Sequence, residues 1–368
     1  GEKMLKNKKI FIGSTIAVVI FAVVAVVYIF MFGSEKKKVS RQEETTVTET
    51  EAVTKDPNAG KVKSRLTGEY TKPSIANKRP VALMYNNIIN AIPHSGLYNA
   101  DVCYEAPVEG AITRIMGIFE DYEKVKKMGS VRSCRIYYCS FANEWDAVYS
   151  HFGQSKYALE YLKSGKIDTV SSLTGERYFF RTSDRVAPHN CFTSGANLKK
   201  AIKDLEYRAD YKKDYKGHFE FAEADNKINL ETGKTANRVD LGYMINKPYF
   251  VFNQKDGQYY RFQYGSKHID DQNNKQLHCS NIIIQFVNAT LYPDNKSLDM
   301  TLSGNGKGWF ITNGKAEKIT WQKSEQRSGQ TKYLNENGEE IKLNTGKTWS
   351  CMVQNEYADD VKISKKKK

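Results

Sequence analysis

The sequence predicts an α/β (α+β) layered sandwich preceded by one transmembrane helix, with an N-terminal α/β region and a mainly antiparallel β C-terminal region. Three observations predict this fold class. Residues 10–32 are apolar and uncharged, residues 76–225 alternate strand-like and helix-like apolar patterns, and residues 246–360 hold short apolar runs separated by Gly, Asn and Asp turns. Alternating strands and helices favour α/β layers, whereas successive hairpins favour an antiparallel sheet.

The first element is the apolar run at 10–32. An α-helix of this length spans roughly 34 Å at 1.5 Å per residue, enough to cross a hydrocarbon core of about 30 Å. The run is longer than the apolar stretch of a cleaved signal peptide. Because the first cysteine is Cys103, no lipid-anchoring Cys follows the run. We therefore expect an uncleaved signal anchor at 10–32 and a short cytoplasmic tail at 1–9.

Charge is concentrated near the two ends of the chain. The net charge is +14, and the Lys-rich segments at 1–9 and 361–368 carry part of it, the latter as a basic tail. Residues 33–75 are predicted to be a flexible linker, because their first part is rich in Lys, Glu and Thr and lacks the large apolar residues of a core. The sequence shows no clustered basic stripe with a recognisable motif, so no nucleic-acid partner is expected.

The N-terminal region at 76–225 begins with short apolar runs that end in polar residues, which is typical of buried strands. Its later segments carry apolar residues at a spacing of about 3.6, which is typical of amphipathic helices. Strands are predicted at 80–85, 101–105 and 111–119, and helices at 140–150, 157–164 and 197–205.

The C-terminal region at 246–360 is predicted to be mainly antiparallel β. Its apolar runs are separated by turns such as Asn313-Gly314 and Asn337-Gly338. Asn-Gly favours a hairpin because a type I′ turn needs positive φ at both central residues. Strands are predicted at 250–252, 258–264, 281–287, 299–302, 308–312, 318–322 and 348–353.

Residue types that carry chemistry concentrate in the N-terminal region. Two carboxylates and an arginine surround a Gly turn at 105–114, two arginines stand three apart at 132–135, and residues 181–190 combine Arg, Asp, His and Asn. No C-x-x-C pair occurs among the six cysteines, so neither a zinc ribbon nor a thioredoxin-type site is predicted. No cofactor or metal is expected. The candidate ligand-binding residues are Glu105, Glu109, Arg114, Arg132, Arg135, His151, Arg185, His189 and Asn190.

A set of short motifs, taken together, resembles a known family. In the first half they are His94-Ser95-Gly96-Leu97, Ala100-Asp101, Tyr104-Glu105, Val108-Glu109-Gly110, Thr113-Arg114, Val131-Arg132-Ser133, Arg135, His151-Phe152-Gly153 and Ala187-Pro188-His189-Asn190. In the second half they are Tyr260-Arg261, Asn281, residues 303–308, Trp321 and Gly346-Lys347-Thr348-Trp349. From about residue 80 to 357 the chain resembles the YerB-like family, a two-part domain of unknown function whose members read as bacterial lipoproteins.

The resemblance implies an extracytoplasmic protein with a mixed α/β fold in which both regions form one compact unit, and it implies no established activity. The chain departs from the family in carrying an apolar helix where its relatives carry a lipid. Lysines flank the run at 10–32 on both sides, so the positive-inside count is nearly tied. The expected location, a single pass through the cell membrane with the rest of the chain outside, therefore depends on the resemblance.

The leading functional hypothesis is a cleft that binds an anionic wall polymer or glycan. Four of the candidates are arginines, whose guanidinium forks match phosphate and carboxylate groups. His151 and His189 would serve as acid or base near neutral pH, and the two glutamates would orient them or accept sugar hydroxyls. The alternative is that the same groups form buried ion pairs that hold loops together, and the sequence favours neither.

Two other functions stay open. A hydrolase or transferase acting on wall glycans would need a catalytic group, but the sequence shows no G-x-S-x-G, no H-E-x-x-H and no phosphate loop. Catalytic residues are therefore not predicted, although His94, His151, His189 and Asp101 form one conceivable metal set. A module that binds and regulates wall-synthesis proteins through its Tyr-rich β strands is the third hypothesis.

Overall fold

The computed structural model describes residues 56–367. The predicted anchor at 10–32 and tail at 1–9 lie outside these residues, as does the predicted linker up to residue 55. Within 56–367, no helix combines the length and the apolar character needed to cross a membrane.

Helices are few and short. The α-helices of the described residues are α1 (Pro73–Ala76), α2 (Ile136–Glu144), α3 (Lys156–Lys163) and α4 (Gly195–Asp204). Single 3-10 turns lie at Ile89–Ala91, Leu97–Asn99, Glu109–Ala111, Glu176–Tyr178 and Asn355–Asp360.

Strands make up most of the regular structure. The strands of the first half are β1 (Val62–Lys63), β2 (Tyr70–Thr71), β3 (Val81–Asn86), β4 (Val102–Pro107), β5 (Thr113–Phe119), β6 (Met128–Gly129), β7 (Val148–His151), β8 (Thr169–Ser171), β9 (Phe180–Arg181), β10 (Cys191–Thr193), β11 (Glu220–Phe221) and β12 (Lys234–Thr235). Those of the second half are β13 (Arg238–Asp240), β14 (Tyr249–Asn253), β15 (Gln258–Gln263), β16 (Ser266–Lys267), β17 (His278–Cys279), β18 (Asn281–Leu291), β19 (Leu298–Thr301), β20 (Gly304–Thr312), β21 (Lys315–Lys323), β22 (Lys332–Leu334), β23 (Lys342–Leu343), β24 (Thr348–Gln354) and β25 (Lys362–Ser364).

The predicted α/β fold class is wrong, because the structure is mostly β with 16% helix. Strands β3 and β4 lie on the two sides of β5, and each pairs antiparallel with it. The consecutive strands β4 and β5 are therefore joined without a crossover helix. The helix predicted at 140–150 also ends early: α2 stops at Glu144, and β7 begins at Val148. Apolar periodicity in a short buried segment does not separate a helix from a strand.

A twelve-stranded central sheet runs through both halves of the chain, in the order β12-β21-β20-β18-β24-β4-β5-β3-β7-β8, with β19 beside β18 and β22 beside β21. Strand β24 joins the halves, because it pairs in parallel with β18 on one side and with β4 on the other. The two sequence regions therefore contribute to one sheet and to the hydrophobic core on each of its faces.

Both faces of the central sheet are buried along its middle strands β3, β4 and β5. One face packs against a six-stranded sheet of β13–β17 and β25 and against α4, through residues such as Phe250, Tyr259 and Leu198. The other face packs against α2 and α3, through residues such as Tyr138 and Trp145. Burial on both faces explains why β3 and β4 are buried along their whole length and do not alternate between apolar and exposed polar residues.

Candidate anion-binding site

The candidate residues converge beside the last residues of β3. Asn86 ends β3 and pairs with Arg114 at the start of β5. On the other side of β3, the backbone N–H of Arg132 donates to the carbonyl oxygen of Met84 at 2.9 Å. The sheet register thus places Arg114 and Arg132 on the two sides of one strand end, although they lie in separate motifs of the sequence.

Arg135 stands directly before α2 and forms an ion pair with Glu109 of the β4–β5 connection. Its Nη2 lies 2.7 Å from Glu109 Oε2, and its Nε donates to both carboxylate oxygens at 2.8 Å. Burial raises the pKa of Glu109, but the hydrogen bonds and charge of Arg135 outweigh burial, so the pKa lies below its ordinary value. This pair neutralises one arginine of the group.

Arg114 is buried and only partly satisfied. It donates from Nη1 to the carbonyl oxygen of Ser133, while its buried Nε has no hydrogen-bond partner among the described residues. Burial first, and then the charge of Arg135, lower the pKa of Arg114 to about 10. The charge of Arg132 acts in the same direction, so the three arginines repel one another.

Arg132 is half-buried, yet within residues 56–367 its guanidinium makes neither an ion pair nor a hydrogen bond. Its pKa lies below the ordinary value because of burial and the nearby charge of Arg135. A guanidinium that has lost part of its hydration shell without gaining an acceptor is a ready donor for a bound anion.

His189 faces the same surface from the loop between β9 and β10. The side-chain nitrogen of Asn86 donates to His189 Nδ1 at 2.8 Å, so the proton of the neutral ring stands on Nε2. Burial, followed by the charges of Arg132 and Arg185, lowers the pKa of His189. At neutral pH His189 is therefore an uncharged donor beside two cations.

Arg185 belongs to the same loop and holds it against residues 89–93. Its Nη1 and Nη2 donate to the carbonyl oxygens of Ala91 at 2.7 Å and Pro93 at 2.6 Å. Its nearest carboxylates, Asp184 and Asp271, are 3.6 Å and 3.9 Å away. Arg185 thus positions the loop and adds positive charge beside His189.

The remaining candidates do not join this surface. His151 is buried and closed, because its Nδ1 donates to the Gly153 carbonyl oxygen at 2.7 Å and its Nε2 accepts from the Thr169 hydroxyl at 2.7 Å. Burial lowers the pKa of His151 to about 4, so it is neutral. Asn190 bonds to Arg181 and Thr182 within its own loop.

The conceivable metal set does not assemble either. Among the described residues, no group of three or more His, Cys, Asp and Glu side chains has the arrangement of a metal site. His94 Nε2 lies 2.6 Å from the carbonyl oxygen of Asn86, and Asp101 accepts from the backbone N–H of Glu120 at 2.8 Å. These contacts are structural.

Comparison with known proteins places the chain in a family. The N-terminal domain of a protein of unknown function (DUF3048) matches residues 66–208, and the C-terminal domain of the same family matches residues 239–350. The chain is 31% identical over 310 residues to the Bacillus subtilis (strain 168) protein named "Putative lipoprotein YerB", which covers 83% of this chain and 90% of that protein. This chain belongs to the DUF3048 family.

The fold agrees with that membership. The crystal structure of YerB from Bacillus subtilis matches with a TM-score of 0.74 and 28% sequence identity, over 83% of this chain and 100% of that chain. All the ligand-binding candidates from the sequence fall within the DUF3048 N-terminal domain. The family description assigns them no function.

A buried network of polar side chains connects the two DUF3048 domains, and the sequence did not predict it. Arg261 Nη2 donates to Glu105 Oε2 at 2.7 Å, and Arg261 Nη1 lies 2.5 Å from His268 Nδ1. His268 Nε2 lies 2.7 Å from His94 Nδ1, and His94 Nε2 reaches the carbonyl oxygen of Asn86. Glu105 therefore belongs to this buried polar network in the interior and does not join Arg114, Arg132 and His189.

An arginine side chain can only donate hydrogen bonds, so the donor and the acceptor of each hydrogen bond from Arg261 to Asn86 are determined. His268 Nδ1 accepts from Arg261, so His268 donates from Nε2 to His94 Nδ1. His94 then donates from Nε2 to Asn86, and both histidines are neutral. Burial lowers the pKa of His94 to about 4 and that of His268 well below its ordinary value. The buried polar network ends at Asn86, whose side chain donates a hydrogen bond to His189.

Proposed function

We propose that this DUF3048 protein binds an anionic group of a cell-envelope polymer, a phosphate or a carboxylate, at the surface formed by Arg114, Arg132, Arg185 and His189, hereafter the arginine surface. The observation that carries the proposal is the guanidinium of Arg132, which is half-buried and has no acceptor within residues 56–367. The charges of Arg132 and Arg135 each lower the pKa of Arg114, so these arginines repel one another, and a bound anion would offset that repulsion.

The donors of the arginine surface are suited to an oxyanion. Arg132 offers a planar fork for two parallel hydrogen bonds, and the neutral His189 ring offers Nε2–H without adding charge. Arg114 Nε adds a buried donor that lacks a partner among the described residues. The carboxylate of Glu109, which lies beside these arginines, is already engaged by Arg135.

The location outside the membrane is part of the same proposal. The relative from Bacillus subtilis is named as a lipoprotein, and the present chain carries the apolar run at 10–32. We infer that the run attaches the chain to the cell membrane and that the arginine surface faces the envelope. Protease added to intact cells should degrade residues 56–367, and protection of these residues would contradict the placement.

The binding experiment uses the full chain in detergent micelles and poly(glycerol phosphate) as the probe. Replacing Arg132 by Gln should weaken binding roughly tenfold or more, because a hydrogen bond to a charged group contributes about 1.5–3 kcal/mol. Arg238→Gln is the matched control, since Arg238 is also partly buried but pairs with Asp240 in the six-stranded sheet.

Two further arms sharpen this experiment. Polyglutamate of equal charge separates carboxylate from phosphate recognition, and free inorganic phosphate should compete with the polymer. Circular dichroism verifies that each variant is folded. The proposal fails if folded Arg132→Gln binds both polymers as tightly as Arg238→Gln, or if the unaltered chain binds neither polymer.

A further inference from the structure

Cys134 and Cys139 form a thiol pair in the interior. Their Sγ atoms are 3.7 Å apart, and both side chains are buried. Across residues 56–367 all cysteines are free thiols, and this pair alone makes a sulfur–sulfur contact. A disulfide requires about 2.05 Å between the sulfur atoms, so the two thiols are already close to bonding distance.

The local backbone explains the contact. Cys134 lies in an extended segment whose N–H donates to the Gly153 carbonyl oxygen at 2.9 Å and whose carbonyl accepts from Ser155 N–H at 3.1 Å. Cys139 lies in α2, which begins two residues after Cys134. The turn from extended segment to helix brings the two side chains into contact.

From this geometry we infer that Cys134 and Cys139 are a site of covalent modification, an intramolecular disulfide that closes the start of α2. In the presence of a small disulfide such as oxidised glutathione, the two thiols lose two protons and two electrons and form one S–S bond. The glutathione disulfide accepts both electrons and protons and leaves as two glutathione thiols. An oxidising extracellular environment favours the product.

The bond would act on the arginine surface through Arg135, which lies between the two cysteines in the sequence. Closing the loop 134–139 restricts the segment that carries Arg135, and Arg135 holds Glu109. This inference does not rest on the proposed anion binding, because it is argued from the contact between the two thiols.

The reaction is expected to be slow. The contact with Cys134, followed by burial, raises the pKa of Cys139 well above its ordinary value, and thiol exchange proceeds through the thiolate. The oxidant must also reach the pair during local opening at the start of α2, where Arg135 and Ile136 are partly exposed. Incubation for hours at mildly alkaline pH is therefore appropriate.

The test is peptide mapping of the full, folded chain after incubation with oxidised glutathione. Trypsin cleaves after Arg132, Arg135 and Lys156, so Cys134 falls in the tripeptide 133–135 and Cys139 in the peptide 136–156. We expect these two peptides to appear joined without reductant and separate with it. Alkylation of the denatured protein should count two fewer free thiols than the six of the reduced chain.

Two variants and one positive control complete the test. Cys134→Ala should abolish the joined peptide, whereas Cys191→Ala, at a buried thiol elsewhere, should leave it in place. The chain oxidised in denaturant shows that the reagent is active. Absence of the joined peptide from the folded chain under conditions that oxidise the denatured chain would overturn the inference, as would pairing of Cys134 or Cys139 with a different cysteine.

Discussion

Glu105 and Arg261 form an ion pair of 2.7 Å in the fully buried interior, across 156 residues of sequence. Glu105 lies on β4 of the central sheet, and Arg261 lies on β15 of the six-stranded sheet. The pair therefore connects the two sheets and the two DUF3048 domains. Asn87, Thr113 and Asn246 donate to the second carboxylate oxygen, so the charge is enclosed by donors.

Removing one member of this pair should be strongly destabilising. Arg261→Met leaves the buried Glu105 carboxylate without its counter-ion, and we expect a loss of about 3–5 kcal/mol in the free energy of unfolding. Arg238→Met is the control, because Arg238 and Asp240 also lie 2.7 Å apart but are partly exposed, where a pair contributes about 0–1 kcal/mol. Urea unfolding of the full chain measures both.

The double variant Glu105→Leu with Arg261→Met separates the effect of an unpaired buried charge from the effect of changed side-chain packing. It should lose less stability than Arg261→Met alone, because no buried charge is left without a partner. Equal losses for Arg261→Met and Arg238→Met would show that the pair does not stabilise the contact between the sheets.

The buried polar network predicts which ring nitrogen of each histidine carries the proton. His94, His268 and His189 should each carry the proton on Nε2, whereas His151 should carry it on Nδ1, because its Nδ1 faces a carbonyl oxygen. The ¹⁵N chemical shifts of selectively labelled histidine report the protonated nitrogen directly. A proton on His268 Nδ1 would contradict the donor and acceptor roles given above, since that nitrogen faces Arg261.

The pKa of His189 reports the electrostatics of the arginine surface. Burial, Arg132 and Arg185 all lower this pKa, so Arg132→Gln should raise it, because a nearby positive charge that disfavours the imidazolium is removed. NMR titration of the His189 ring measures the shift, with Arg238→Gln as the control. An unchanged or lower pKa in Arg132→Gln would place Arg132 away from His189.

His218 predicts a dependence of stability on pH. Its two ring nitrogens have no hydrogen-bond partner among the described residues, and it packs against Trp145 and Phe219. Burial lowers its pKa to about 4, whereas the unfolded state has a pKa of about 6.5. Between pH 6.5 and 4 the His218 ring is protonated in the unfolded chain but neutral in the folded chain. His218 therefore lowers the free energy of unfolding as the pH falls.

His218→Phe should remove this contribution while retaining the aromatic packing. Between pH 5 and 6 the free energy of unfolding should depend on pH less steeply than in the unaltered chain, by about 1 kcal/mol per pH unit. Urea unfolding at several pH values measures the two slopes. Subtracting them cancels the opposing effect of Asp101 and Glu120, whose pKa values burial raises to about 6 and about 7. Equal slopes would mean that His218 is not buried in neutral form.

Local patterns predicted many elements correctly. The strands expected at 80–85, 101–105 and 281–287 correspond to β3, β4 and β18, and the helix expected at 157–164 corresponds to α3. The three strands are short apolar runs and the helix has apolar residues at a spacing of about 3.6, and both patterns are carried by neighbouring residues. The helix prediction at 140–150 was wrong because the last residues of this segment belong to β7. That strand pairs with β3 on one side and β8 on the other.

The candidate site was predicted in part. Arg114, Arg132 and His189 lie beside one strand end, as a functional cluster requires, but Glu105 and His151 have the same residue types and are closed in the interior. Residue type and motif did not separate them, because the difference lies in which distant groups supply their partners. Arg261 belongs to a noted motif, yet nothing near it in the sequence points to Glu105.

The sequence by itself determined the chain's family, the positions of most long strands and the residue types available to an anion. Only the tertiary structure decided which of those residues meet solvent and which are sealed by partners. The physical reason is that periodicity and turn chemistry act over a few residues, whereas sheet pairing such as β4 with β24 and ion pairs such as Glu105 with Arg261 depend on chain segments brought together from far apart.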